Sequence, residues 1–216
     1  MPLAGKEPEK IIDFFYKRVK NRESDGNLID AIPFNSKLLT DKLNKKSDAI
    51  LKEILKWFEN DDWKLKWGAS HLFYIIFPRV EGDIQDKLIQ IIKTKDTTKL
   101  DHILSILDKY EGSSDVLDIV KEIVKNFEVS HELRLRLQAI LSHTGVVTGE
   151  DGFVKAYEEK INDIRSWEAD FNESISSFAK SYTEYLQNRI KYEKARVDKE
   201  PDLRKNEFNR FKTMDT

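Results

Sequence analysis

Not one cysteine occurs among the 216 residues of the chain. That excludes disulfides, thiolate nucleophiles and cysteine-ligated zinc, and it fits a reducing, cytoplasmic setting. Glycine and proline are scarce, at eight and five, too few for the many turns of a β-rich fold. Excess charge of either sign is missing. The 37 basic and 39 acidic side chains leave a formal net charge of −2, so no global field draws the chain onto nucleic acid or an anionic membrane. Long apolar runs are missing too. The most apolar stretch, Leu72-Phe73-Tyr74-Ile75-Ile76-Phe77, falls far short of the roughly 18 residues that a membrane-spanning helix needs. The opening MPLAGKEPEK has no apolar core and does not read as a signal peptide. A chain without membrane association is therefore expected.

What is present points to amphipathic helices. Charged residues make up 35% of the chain and hydrophobic ones 39%, which suits elements with one buried stripe and one solvated face. Pro8 stands at a first-turn position, and Ile11, Ile12, Phe15 and Val19 follow at helical spacing. Residues 23 to 27 form a turn cluster, and Leu28 to Phe34 reads as a connector with at most one helical turn. A short helix is expected over Lys37 to Leu43. From there the pattern repeats. Ser47, Gly82 and Ser114 each open a pair of apolar-striped segments, the second members beginning near Trp63, Thr97 and Glu132. The spacing of roughly 33 residues lies in the range of stacked helical hairpins, which bury their apolar faces against neighbours. The pattern predicts an all-α fold, an α-solenoid of helical hairpins. An irregular bundle of similar hairpins is the alternative. Ile54, Leu104 and Val120 lie mid-stripe and are expected in the core.

Gly145 to Gly152 is the sharpest break. Beyond it a helix over Phe153 to Ile164 is expected, then a long C-terminal helix whose stripe runs from Phe171 to Ile190 and fades by Glu200. Pro201 is expected to end or restart it, with Phe208 and Phe211 in the tail. Three regions follow: N-terminal helices over 1–46, hairpin repeats over 47–147, and a long-helix hairpin with a charged tail over 148–216.

Residues able to carry chemistry are dispersed. The glycine loop at 145–152 lacks the Gly-Lys-Ser/Thr ending of a phosphate loop and follows no strand. His71, His102, His131 and His143 form no HExxH pair. The Asp61-Asp62 pair reads as a helix stop and cap. No serine sits in a nucleophile elbow. The sequence therefore points to no catalytic residue, no metal site and no cofactor. Basic residues gather on the first helix (Lys10, Lys17, Arg18, Lys20, Arg22) and on the late one, but acidic neighbours dilute both clusters. Trp63 and Trp67 stand one turn apart. Both read first as core anchors, and either would serve as a partner hot spot if exposed.

Several short blocks resemble a known family. They include Asp30-Ala31-Ile32-Pro33-Phe34, Asp61-Asp62-Trp63 with Trp67-Gly68-Ala69, Ile76-Phe77-Pro78, and Ile103-Leu104-Ser105-Ile106-Leu107 with Tyr110-Glu111-Gly112. Further blocks are Lys121-Glu122-Ile123-Val124, Ser142 to Glu150, Trp167, Phe178-Ala179, Tyr182 and Leu203-Arg204-Lys205. Together they resemble the C-terminal HEAT-like repeat region of bacterial multidomain NTPases of the signal-transduction ATPase (STAND) class, many linked to antiviral defence. The resemblance implies HEAT-like repeats that act as sensors or assembly surfaces while a separate domain supplies the chemistry.

The expectation is thus a non-catalytic protein–protein interaction module, a sensor or scaffold in a bacterial defence or signalling assembly. Its partner would be another protein or a neighbouring domain. A nucleic-acid-binding helical repeat is the alternative. Candidate partner-binding residues are the polar positions of the second helices, Lys66, His102, Arg134 and Gln138, with Arg189, Lys191, Lys194 and Arg196 on the late basic helix.

Overall fold

The computed structural model describes residues 8–22, 31–33 and 37–214, with side chains described as far as 198 except at 38. The turn cluster at 23–27 lies outside the described residues, as do the side chains of Phe208 and Phe211. Among the described residues every regular element is helical, as the periodicity predicts, and none is long and apolar enough to cross a membrane. The chain divides into two compact units, 1–127 and 128–216.

In the first unit, α1 (Pro8–Lys20) and α2 (Lys37–Leu43) precede α3 (Ser47–Phe58), α4 (Trp63–Ile76), α5 (Asp83–Lys93), α6 (Thr97–Leu107) and α7 (Leu117–Asn126). The cuts between helices follow the local chemistry. Asp62 accepts the Lys64 amide at 2.9 Å to start α4, and Asp96 accepts the Thr98 and Lys99 amides at 3.0 and 3.2 Å to start α6. Each satisfies an amide that the first helical turn leaves orphaned. Pro78 prevents α4 from continuing.

First helices neighbour first helices, with α3 beside α5 and α5 beside α7, while α4 lies beside α6. Polar ties between successive hairpins keep the same step. Ser47 donates to Asp83, 36 residues on. Gln85 donates to Asp118 at 2.9 Å, 33 residues on. Lys87 reaches back 39 residues to Asp48 at 3.3 Å. The buried Tyr110 hydroxyl donates to the Phe77 carbonyl at 2.5 Å, again 33 residues away. Phe77 caps the C-terminus of α4, where carbonyls lack partners within the helix, so one hairpin completes the end of the one before it.

α1 and α2 pack against this core. α1 packs on α3 and α4, and α2 on α4. Ala31 and Ile32, in the expected connector, are fully buried. Gly68 shows how closely α1 approaches: a Cβ there would meet Val19 Cγ2 at 3.2 Å and Trp57 Cζ3 at 3.3 Å. Gly68→Ala should destabilise the protein by about 1–3 kcal/mol through overpacking, read as a lowered urea midpoint. An unchanged midpoint would mean that α1 yields without cost.

The second unit holds α8 (His131–Ser142), α9 (Gly152–Ile164) and α10 (Glu173–Met214). α8, which the repeat pattern groups with the preceding hairpins, clusters with α9 and α10. Ser130 caps α8 by accepting the Leu133 amide at 3.2 Å, and Asn172 caps α10 by accepting the Ser174 and Ile175 amides at 3.0 and 3.2 Å. Between α8 and α9, Gly145 and Gly149 take φ of 60° and 83°, a left-handed conformation that costs glycine little. α9 and α10 form an antiparallel pair. Its core joins Val154, Tyr157, Ile161, Ile164 and Trp167 to Ile175, Phe178, Ala179, Tyr182 and Leu186. Two polar ties fix the turn between them: Ser176 Oγ donates to the Glu168 carbonyl at 2.8 Å, and Thr183 Oγ1 to the Glu168 carboxylate at 2.7 Å.

α10 spans 42 residues and runs through Pro201, where an end or restart is expected. A proline removes one backbone donor and strains the turn before it. The flanking Lys, Glu and Arg residues favour helix strongly enough to carry the backbone across.

Candidate functional site

The most distinctive surface of the first unit lies along α4. Trp63, Trp67, His71 and Tyr74 follow at spacings of four, four and three, which places them on one face of a helix. Trp63, in the first turn, is 62% exposed and Tyr74 37%. Between them Trp67 is half-buried and His71 buried. The His71 ring stacks on Trp67 at 4.8 Å with 24° between planes. Tyr74 meets Tyr110 edge-on at 5.2 Å.

α6 and the 3-10 turn that follows it, Asp108–Tyr110, complete the surface. His102 of α6 stacks on Phe58 at 4.8 Å and 18°, and the Lys109 ammonium lies over the Trp67 ring at 5.2 Å. Burial first, then the Lys109 charge, holds the proton affinity of His71 below the ordinary imidazole range. Burial is also the main cause that lowers His102. Lys66 adds to it, while Asp101, Asp96 and Glu59 act the other way. Neutral imidazoles on aromatic rings are thus favoured near pH 7.

Lysines flank this strip, each beside its own carboxylate. Lys66 meets Asp61 at 3.4 Å, Lys64 meets Asp62 at 3.9 Å, and Lys99 meets Asp96 at 3.6 Å. Lys64 also donates to the Arg22 carbonyl at 3.0 Å, tying the chain after α1 to the start of α4. The strip is therefore aromatic, with these three flanking lysines compensated and Lys109 set over the Trp67 ring. A phosphate backbone needs uncompensated cations, whereas a protein hot spot needs an accessible aromatic anchor.

Two of the residues expected from sequence, Lys66 and His102, come together here, close enough for one charge to act on the other. The remaining six belong to the second unit. Arg134 is half-buried on α8, and its Nε atom is enclosed without a hydrogen-bond partner in the protein. Gln138 is a correction: it is 5% exposed and donates to Ser181 Oγ at 3.2 Å. The α8 face that holds Leu137 and Leu141 includes it, so its amide serves the fold and not a surface. Arg189 packs on α9, donating to the Tyr157 hydroxyl at 3.2 Å with its guanidinium 5.8 Å from that ring. Arg196 pairs with Glu193 at 2.8 Å. Lys191 and Lys194 are exposed.

The sequence reading missed Lys109, Tyr74 and Tyr110. Tyr74 was discoverable, since it continues the spacing that begins at Trp63. Lys109 and Tyr110 lie on a turn after α6, and no local pattern announces their approach to α4.

A concavity of about 280 Å³ is lined in part by Thr40, Asn44, Phe77, Arg79, Glu81 and Asp83. Its polar groups largely serve one another. Arg79 pairs with Glu81 at 2.9 Å, and the Thr40 hydroxyl donates to the Ile75 carbonyl at 2.8 Å. Among the described residues, no group of three or more His, Asp or Glu is placed to hold a metal ion. Comparison of the chain with protein-family models, with curated proteins and with solved structures gives no match.

Proposed function

We propose that this chain is a non-catalytic protein–protein interaction module, a sensor or scaffold that binds its partner on the α4–α6 face. The observation that carries the reading is Trp63, a large aromatic left 62% exposed at the end of an ordered aromatic strip. Isolated exposed apolar residues are common. A tryptophan continuous with a stacked, half-buried row on a rigid helix is the form that interface anchors take. The compensated lysines beside it favour a protein over nucleic acid as the occupant.

The hydrogen bonds between residues 33 to 39 apart support the finer reading of stacked HEAT-like hairpins, an architecture that presents continuous binding surfaces. A bacterial defence or signalling assembly in the cytoplasm is the setting that the family resemblance suggests.

The test is differential capture from the native host. A protein retained by the wild type should be lost on Trp63→Ala and kept on Lys191→Glu, a control on the second unit. With that partner purified, Trp63→Ala should raise Kd by about 30-fold or more, as hot-spot truncations do. Equal binding by wild type and Trp63→Ala would overturn the assignment of this face.

A further inference from the structure

The lysines around the α4–α6 face are not alike. Lys64, Lys66 and Lys99 each stand beside a carboxylate. Lys109 does not. Among the described residues no carboxylate pairs with its ammonium, which is set over the Trp67 ring at 5.2 Å. Asp108 and Glu111, close to it in the chain, are exposed and form no ion pair with it. The acidic side chains of α3 are engaged elsewhere, Asp48 with Lys87 and Glu53 with Lys56. Glu59, just past the end of α3, acts on His102. The indole attracts the Lys109 ammonium but carries no charge of its own. An ammonium has three donors, and one ring face cannot take them all.

We infer that the α4–α6 face takes an acidic protein segment, in which a carboxylate pairs with Lys109 while an apolar side chain covers Trp63. This rests on the proposed function and names the chemistry of its partner.

Charge selects the carboxylate. One unpaired cation is balanced by one negative charge. A phosphoryl group carries about two, and the surplus would lie on a face that already holds Asp61, Asp62 and Asp96. Each of those is matched by its own lysine, so no further cation there is left to receive it.

Geometry sets the spacing. Trp63 and Trp67 stand one turn apart on α4, about 6 Å along its axis, and Lys109 lies over the second of them. A segment that covers Trp63 therefore presents its carboxylate about one helical turn away. That is a spacing of three or four residues on a partner helix and of roughly two on an extended strand. The pairing is also favoured at this place. Lys109 is half-buried, and partial exclusion of water strengthens the attraction between unlike charges. The Trp67 ring already holds the ammonium, so less side-chain freedom is lost when the partner arrives.

The probe is a library of short, unmodified random peptides displayed on phage and selected on the immobilised full chain. Wild type should enrich peptides that carry Asp or Glu roughly two to four positions from a Trp, Phe or Leu. Trp63→Ala should lose them. Lys109→Glu should replace the acid by Lys or Arg, and Lys109→Gln, which guards against a charge reversal that misfolds the turn, should remove the preference for charge. For one enriched peptide made synthetically, Lys109→Gln should raise Kd about tenfold, the scale of a hydrogen bond to a charged group. With the carboxylate of the peptide changed to an amide, wild type and Lys109→Gln should bind equally. Peptides that depend on Trp63 but show no acidic preference, or an acidic preference that survives Lys109→Gln, would overturn the inference and leave the binding face standing. Absence of any Trp63-dependent enrichment would overturn both.

Discussion

Leu104→Ala is expected to cost about 2–5 kcal/mol, the range for truncating a core leucine. Leu104 is 2% exposed, with Ile103, Ile106 and Leu107 beside it on α6 fully buried, and α6 packs on both α4 and α5. The cavity would open where hairpins meet, and rigid helices on either side leave little room for collapse. The urea midpoint reads the effect. Lys99→Ala on the same helix is the control, and it should stay within about 0.5 kcal/mol of wild type, as exposed substitutions do. A Leu104→Ala midpoint equal to wild type would show that the seam between hairpins is not close-packed.

The second large effect is expected in the other unit, as a contrast between one side chain and a whole segment. Phe178 is 1% exposed and sits in the centre of the α9–α10 core, so Phe178→Ala should cost about 3–5 kcal/mol. Ending the chain after Ile190 removes far more atoms and should lower Tm by no more than about 4 °C. Leu186 is the last apolar residue of α10 with a fully buried side chain among those described. α9, with 13 residues, is about 20 Å long, and α10, with 42 residues, about 63 Å. From 187 to 198 most side chains are exposed, the exceptions being the half-buried Ile190 and Val197 and the buried Glu193. Hydrogen exchange across α9 separates the two cases. Phe178→Ala should lose protection there and the truncated chain should keep it. If truncation strips α9 of protection, residues beyond 190 hold the fold.

The stripes were legible because burial follows helical spacing. Ile54, Leu104 and Val120, expected in the core, are 0%, 2% and 0% exposed. Asp62 was legible as a cap because capping is local. Ser47 was not. It lies inside α3, and its hydroxyl bonds Asp83 on α5, a partner that no window around Ser47 contains. Trp63 and Gln138 fail in opposite directions for one reason. Residue type sets the cost of burial, but the neighbouring helix decides whether burial occurs, so a tryptophan stands in solvent and a glutamine lies beneath Ser181. Lys66 and His102 were legible as polar positions of successive second helices, which fall side by side. Lys109 was not.

The steps of 33 to 39 residues between polar partners bear on how the first unit assembles. Contact order there is governed by the length of one hairpin, so forming these contacts closes only short loops. On the proposed reading of stacked hairpins, no single nucleus is required: any hairpin that meets a neighbour can begin folding, and growth proceeds outward in both directions along the chain.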